Sequence, residues 1–183
     1  MFRRAAIACC LFVLLPGTAE AAPPEGLNAA QRKAYATVAE TGSFCGVEAG
    51  EGGAPTVIYA FRALLQSAHA DATFKELLLE ATQPGKIYAL CGLYHTDPLH
   101  FEKVVELYRH SDEPVNVLFG CSLYTMTMGE IVEKKEGPAA VWRRDRKRSY
   151  AAWRKEAQAR NLGLDVLNGG WPAVLVEAKL PAR

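Results

Sequence analysis

The sequence predicts a mainly α-helical protein: a compact stack of short amphipathic helix pairs, α-solenoid-like or a bundle, with a small β element near 115–132. Three observations predict it. Four apolar stripes at helical spacing follow one another between Val57 and Tyr108. The connections between them are short and carry helix-starting residues such as Asp71 and Asp97-Pro98. After Pro114 the apolar period shifts to strict alternation, the signature of a half-buried strand.

The first element is a leader. Arg3 and Arg4 open it, Ala5 to Leu15 form an uninterrupted apolar run, Pro16-Gly17 break that run, and Ala19-Glu20-Ala21 supply a small-residue cleavage site. Residues 1–21 therefore read as a secretory signal peptide, and 22–183 as a single helical domain exported to the periplasm or the medium. The apolar run is far shorter than the roughly 20 residues of a membrane span, and no later stretch approaches that length, so no transmembrane segment is expected. Cys9 and Cys10 lie inside the apolar run, whereas a lipid-acceptor cysteine belongs at its end.

Taking Arg3, Arg4 and Glu20 out of 21 basic and 20 acidic residues leaves 19 of each. A formally neutral protein lacks the basic excess of a nucleic-acid binder, so nucleic acid is not an expected partner. About 160 residues remain, enough for one domain to bury a sizeable core without disulfides. Three cysteines survive, Cys45, Cys91 and Cys121, in a chain bound for an oxidising compartment. A Cys91–Cys121 bridge is expected, worth roughly 3 to 4 kcal/mol on chain-entropy grounds. It leaves Cys45 free, buried, or joined to another chain.

Along the domain, Asn28 caps a helix that runs to about Thr41, where Gly42 stops it. Glycines 46, 50, 52 and 53 make the next stretch a flexible loop. It is no phosphate cradle, because Gly53 is followed by Ala54-Pro55 rather than by Lys and Ser or Thr. The four stripes follow: Val57, Phe61, Leu64, Leu65 and Ala68; Phe74, Leu77, Leu78 and Ala81 after a capping Asp71; Ile87, Leu90, Cys91 and Tyr94; and Phe101, Val104, Val105 and Tyr108. A helix with one apolar face cannot stand alone, so these must stack.

The stretch Lys86-Ile87-Tyr88-Ala89-Leu90-Cys91-Gly92-Leu93-Tyr94, with Asp97 and a second helix after it, resembles a HEAT-type repeat. The resemblance covers about Thr56 to His110. It implies a protein-interaction scaffold and brings no catalytic residues with it.

Beyond Pro114, Val115, Val117, Phe119, Cys121 and Leu123 alternate as a strand, while Leu118, Cys121, Met128 and Ile131 also fit a helix. Glu133 to Gly137 reads as an exposed turn. Pro138 opens a longer helix to about Arg160, holding Trp142, Tyr150 and Trp153. Its basic residues Arg143, Arg144, Arg146, Lys147, Arg148, Arg154, Lys155 and Arg160 face only Asp145 and Glu156. The run Arg143 to Arg148 is a candidate anion-binding patch for an envelope component or an acidic protein. Its alternative is a solvated helix paired with the acidic faces of earlier helices. In the tail, Asn168-Gly169-Gly170 signals a turn, and Ala173 to Val176 packs as a strand or short helix with Trp171 as a lid.

One constellation bears on chemistry. Cys91 and His95 are four apart and share a helix face, with His100 and Cys121 as further candidates for a metal site or a thiolate–imidazole pair. No short paired ligand spacing and no orienting third group accompany them, so neither metal nor cofactor is expected. Glu76, Glu80, Glu102 and Glu106 have the spacing of paired carboxylates, but each lies among polar positions opposite an apolar stripe. There is no Gly-x-Ser-x-Gly, His-Glu-x-x-His or nucleotide fingerprint. The chain therefore reads as a non-catalytic exported binding or scaffold protein. A small metal-binding or cysteine-dependent enzyme centred on Cys91 and His95 is the alternative.

Overall fold

The computed structural model describes residues 23–47, 55–119, 122–133, 166–167 and 170–180. They are mainly helical with one small sheet, the class the sequence predicts. Helix α1 (Ala29–Ala39) is followed by β1 (Phe44–Cys45), α2 (Thr56–Leu65), α3 (Ala70–Glu80), α4 (Gln83–Thr96) and α5 (Pro98–Tyr108). The hairpin β2 (Pro114–Phe119) and β3 (Ser122–Thr127) leads into α6 (Met128–Glu133), and α7 (Gly170–Glu177) is the last described element.

Local chemistry sets most of these boundaries. Asn28 starts α1 with a reciprocal capping box: its Oδ1 accepts from the Gln31 N–H at 2.9 Å, and Gln31 Oε1 accepts from the Asn28 N–H at 3.0 Å. The α2 stripe is shorter than the sequence predicts, because the helix ends at Leu65 and leaves Ala68 exposed beyond it. Helix α3 begins one residue before Asp71, so Asp71 sits in the first turn rather than at the cap. There its carboxylate still complements the helix dipole, and it pairs with Lys75 at 2.9 Å. Asp97 ends α4 and caps α5, accepting from the His100 N–H at 3.0 Å ahead of Pro98.

Helices α1 and α2, α3 and α4, and α4 and α5 pack as neighbours, and α4 also meets α1, α2, α7, β1 and β2. This changes the reading of α4. Its expected stripe was one face, yet everything from Ile87 to Leu93 is buried. A helix apolar all round is a central helix. Two glycines let its neighbours close in. A Cβ at Gly85 would lie 2.6 Å from the Val38 carbonyl oxygen, and one at Gly92 would clash with the Phe74 ring. Thr82 pins the start of α4 to the end of α1, its N–H donating to Ala39 O at 2.9 Å and its hydroxyl to Thr41 O at 2.7 Å.

The sheet order is β1-β2-β3. Strand β1 runs parallel to β2 with Phe44 opposite Val117, and β2 runs antiparallel to β3 with Val117 opposite Tyr124 and Leu118 opposite Leu123. Both drawings that the sequence allowed after Pro114 describe part of the chain. Val115 and Val117 point into the core from a strand, while Met128 and Ile131 are buried on α6. The alternation does not carry through to Leu123, because the chain reverses between Phe119 and Ser122, and Leu123 is exposed on the second strand.

Within the described residues no helix is long and apolar enough to cross a membrane. The packing of α4 is open to a direct test. Gly92→Ala should destabilise the protein by about 1 to 3 kcal/mol through overpacking against Phe74. In thermal unfolding that is a fall in Tm of roughly 2 to 4 °C per kcal/mol. Gly42→Ala, where an added Cβ meets nothing within 4 Å, should melt with the wild type. Equal melting of the two variants would contradict the close approach.

Candidate functional site

Cys91 and His95 share a helix but not an environment. The Cys91 thiol is free, fully buried in the middle of α4, and burial pushes its pKa well above the ordinary thiol value. Only the thiolate is a nucleophile or metal ligand, and here it has neither solvent nor a base beside it. His95 lies in the last turn, where its Nε2 is 3.1 Å from the Pro172 carbonyl oxygen. A carbonyl only accepts, so Nε2 carries the proton and is engaged in holding α7. Cys121, the partner expected of Cys91 in a bridge, lies outside the described residues. So does the whole candidate patch Arg143, Arg144, Arg146, Lys147 and Arg148.

The second buried thiol has a polar partner that the sequence did not announce. The Tyr88 hydroxyl donates to the Cys45 carbonyl at 2.9 Å, accepts from the Cys45 N–H at 3.0 Å, and lies 3.2 Å from Cys45 Sγ. Burial raises the pKa of both side chains; for Tyr88 the neighbouring Cys45 adds to it, and for Cys45 the Tyr88 hydrogen bond works against it. A phenol in a core must find partners, and the end of β1 supplies them. The unit joins β1 to α4 and is closed to solvent.

Among the described residues, open grooves lie around Arg109, just past α5. Two grooves meet at this residue. One, of about 620 Å³, is lined by Arg109, His110, Asp112, Thr127 and Glu130; the other, of about 570 Å³, by Tyr94, Phe101, Glu102, Glu106 and Leu167. Arg109 Nη2 pairs with Glu106 Oε1 at 2.6 Å, while its Nε is buried with no partner. Gly129 lets α6 reach this turn: its N–H donates to Ser111 O at 2.9 Å, and an added Cβ would stand 2.7 Å from Arg109 O.

Among the four glutamates with carboxylate-pair spacing, Glu102 and Glu106 line the same groove and Glu106 is held by Arg109. Glu80 instead accepts from the Tyr35 hydroxyl at 3.3 Å. His100 is held through its backbone by Asp97. Within the described residues no group of three or more His, Cys, Asp or Glu is placed to hold a metal ion. Arg109 drew no notice in the sequence because a single arginine at a helix end carries no motif. The start of α6 did carry one. Thr127 and Glu130 form a capping box, with Glu130 Oε2 accepting from the Thr127 N–H at 2.8 Å and Thr127 Oγ1 from the Glu130 N–H at 3.1 Å.

Helix α7 closes the far side of the core. It is helical, one of the two forms the tail allows, and Trp171 packs edge-on to Phe44 with ring centres 4.5 Å apart. Arg62 on α2 holds its C-terminal end, Nε donating to Leu175 O at 2.7 Å and Nη2 to Ala178 O at 2.6 Å. A guanidinium on the last carbonyls satisfies acceptors that the helix leaves open and complements its dipole.

Two outcomes follow. In reductant, Cys45 and Cys91 should resist alkylation in the native protein and label fully in guanidinium; rapid native labelling of Cys91 would contradict its burial. Stability should fall with rising pH. Below the ordinary thiol value of 9.0 both states keep their protons. Above it the unfolded thiols ionise while the buried ones, with raised pKa values, stay protonated, so the native state loses ground until their folded values are passed. Cys91→Ala should flatten this alkaline decline in urea titrations.

Comparison of the chain with protein-family models, with curated proteins and with solved structures finds no match.

Proposed function

We propose that this chain is an exported, non-catalytic binding or scaffold domain that receives a partner macromolecule on the face built by α5 and its groove. The observation that carries this reading is a division of labour among the side chains. The thiol on which a cysteine mechanism or a metal site at Cys91 would depend is sealed in the core, while α5 exposes Leu99 and Leu107 at 74% and 78%. They share α5 with the residues that line one groove, floored by Phe101 and Val105 and rimmed by Glu102 and Glu106. An apolar floor with an acidic rim suits a protein segment carrying apolar and basic residues.

The other elements support the same class. The HEAT-like stretch that ends in α5 belongs with scaffolds. Export follows from the leader at 1–21, and the basic run Arg143–Arg148 is a second docking element for an anionic envelope component or an acidic protein. The competing enzyme reading, centred on Cys91 and His95, is weakened because the two face different surroundings and His95 is occupied by Pro172.

Site-specific photo-crosslinking in the exporting host tests the proposal. A photoreactive residue at Leu99, three residues before Glu102 on α5, should give a discrete adduct with an envelope component, and Glu102→Lys with Glu106→Lys should reduce it at least several-fold. The same probe at exposed Ala30 on α1 should give none. Equal labelling from both positions, or none from Leu99, would remove α5 as the docking face.

A further inference from the structure

We propose that a second copy of this chain pairs with the outer edge of β3, joining two three-stranded sheets into one continuous sheet across a two-fold axis at Tyr124. The proposal stands apart from the α5 docking face and rests on different residues.

The direction of the backbone groups along β3 can be read from its end. The Thr127 N–H donates to Glu130 Oε2 at 2.8 Å instead of to β2, and the next N–H, of Met128, returns to Glu113 O at 2.9 Å. Alternation along an antiparallel strand then places Leu123 and Thr125 with their N–H and C=O groups turned away from β2. Among the described residues no backbone hydrogen bond reaches them from that side. The sheet order makes β3 the edge strand, and all of Ser122 to Thr125 is exposed, on both faces.

An open strand edge is ordinarily guarded by a lysine, a proline, a bulge or an inward charge. Ser122-Leu-Tyr-Thr-Met-Thr127 has none of these devices: no charge, no proline, no glycine, and an unbroken register with β2. It instead presents Leu123 at 63% exposure beside Tyr124 at 49%. Tyr124 lies on the same sheet face as the buried Val117 opposite it.

A second copy fits this edge better than an unlike partner. An uncharged strand offers nothing to select a basic or acidic segment, whereas antiparallel self-pairing is complementary by construction. With Tyr124 opposite its own counterpart, Leu123 of each copy faces Thr125 of the other, and both outward N–H groups of each copy find a carbonyl. The two tyrosines then form a close non-hydrogen-bonded cross-strand pair. With 19 basic and 19 acidic residues after the leader, the processed chain is formally neutral and puts no long-range repulsion between copies.

An edge of this length makes a small interface, so the association should be reversible. Sedimentation velocity of the full processed chain in reductant, from about 1 to 200 μM, should show a monomer passing to a dimer. Leu123→Lys should hold the protein monomeric over the whole range, and Thr125→Pro, which removes an outward N–H, should do the same. Both should keep the wild-type helical circular dichroism, since both positions are exposed. Leu107→Lys on α5 should dimerise like the wild type. A wild-type chain monomeric throughout would overturn the proposal. So would dimerisation that survives Leu123→Lys and Thr125→Pro, or that is lost in Leu107→Lys alone.

Discussion

The burial of α4 on every side is the constraint on which the rest of the structure depends. A helix that presents apolar surface all round must be surrounded, and here α1, α2, α3, α5, α7 and the strands β1 and β2 surround it. Close packing at this density leaves no room for error at the contact points. Gly85 and Gly92 are therefore where side chains have been dispensed with, so that the Val38 carbonyl and the Phe74 ring can occupy the space. The aromatic cluster of Phe44, Phe61, Phe74, Tyr88 and Trp171 follows from the same requirement, since large rings fill the volume between α4 and its neighbours.

Burial of α4 carries the Tyr88 hydroxyl inward, and the fold answers it with backbone. The Tyr88 hydroxyl is met by both the N–H and the carbonyl of Cys45, which makes the two-residue strand β1 a polar clamp as much as a sheet edge. At the other end of the core, His95 and Arg62 hold α7 by its carbonyls. These contacts join segments far apart in sequence, Arg62 reaching across 113 residues to Leu175. Groups that in isolation resemble chemistry, a tyrosine beside a cysteine and a histidine four residues from another cysteine, are in this fold spent on assembly. An unpaired polar group in such a core costs more than a made hydrogen bond returns, which is why the Tyr88 hydroxyl both donates to and accepts from the Cys45 backbone.

Among the described residues, the large apolar side chains that the core leaves in water are spread over three elements, α3, α5 and β3. Leu79 stands on α3, Leu99 and Leu107 on α5, and Leu123 on β3, with grooves beside Arg109, while Cys45 and Cys91 are closed away. A small protein can afford a few exposed large apolar residues as accident, yet two of these sit on the helix that lines a groove and another on a strand edge without charge or proline. That distribution is the physical basis for reading the chain as a binding protein.

Much of the helical layout was legible from local chemistry alone. Asn28 with Gln31, Thr82 ahead of Pro84, and Asp97 ahead of Pro98 determine where helices begin, because a cap satisfies its own N–H groups within a few residues. The alternation at Val115 and Val117 likewise determined a strand, although the turn after Phe119 was hidden by a period that happened to continue through it. Tertiary structure alone decided that α4 is the centre, since a stripe in sequence counts apolar residues but not the neighbours that cover Ala89 and Gly92. It alone brought Cys45 to Tyr88, turned His95 toward Pro172 and left Arg109 between two grooves. Caps and periods are local and are written in adjacent residues; burial and long-range pairing depend on which elements meet, and no short stretch of sequence contains that.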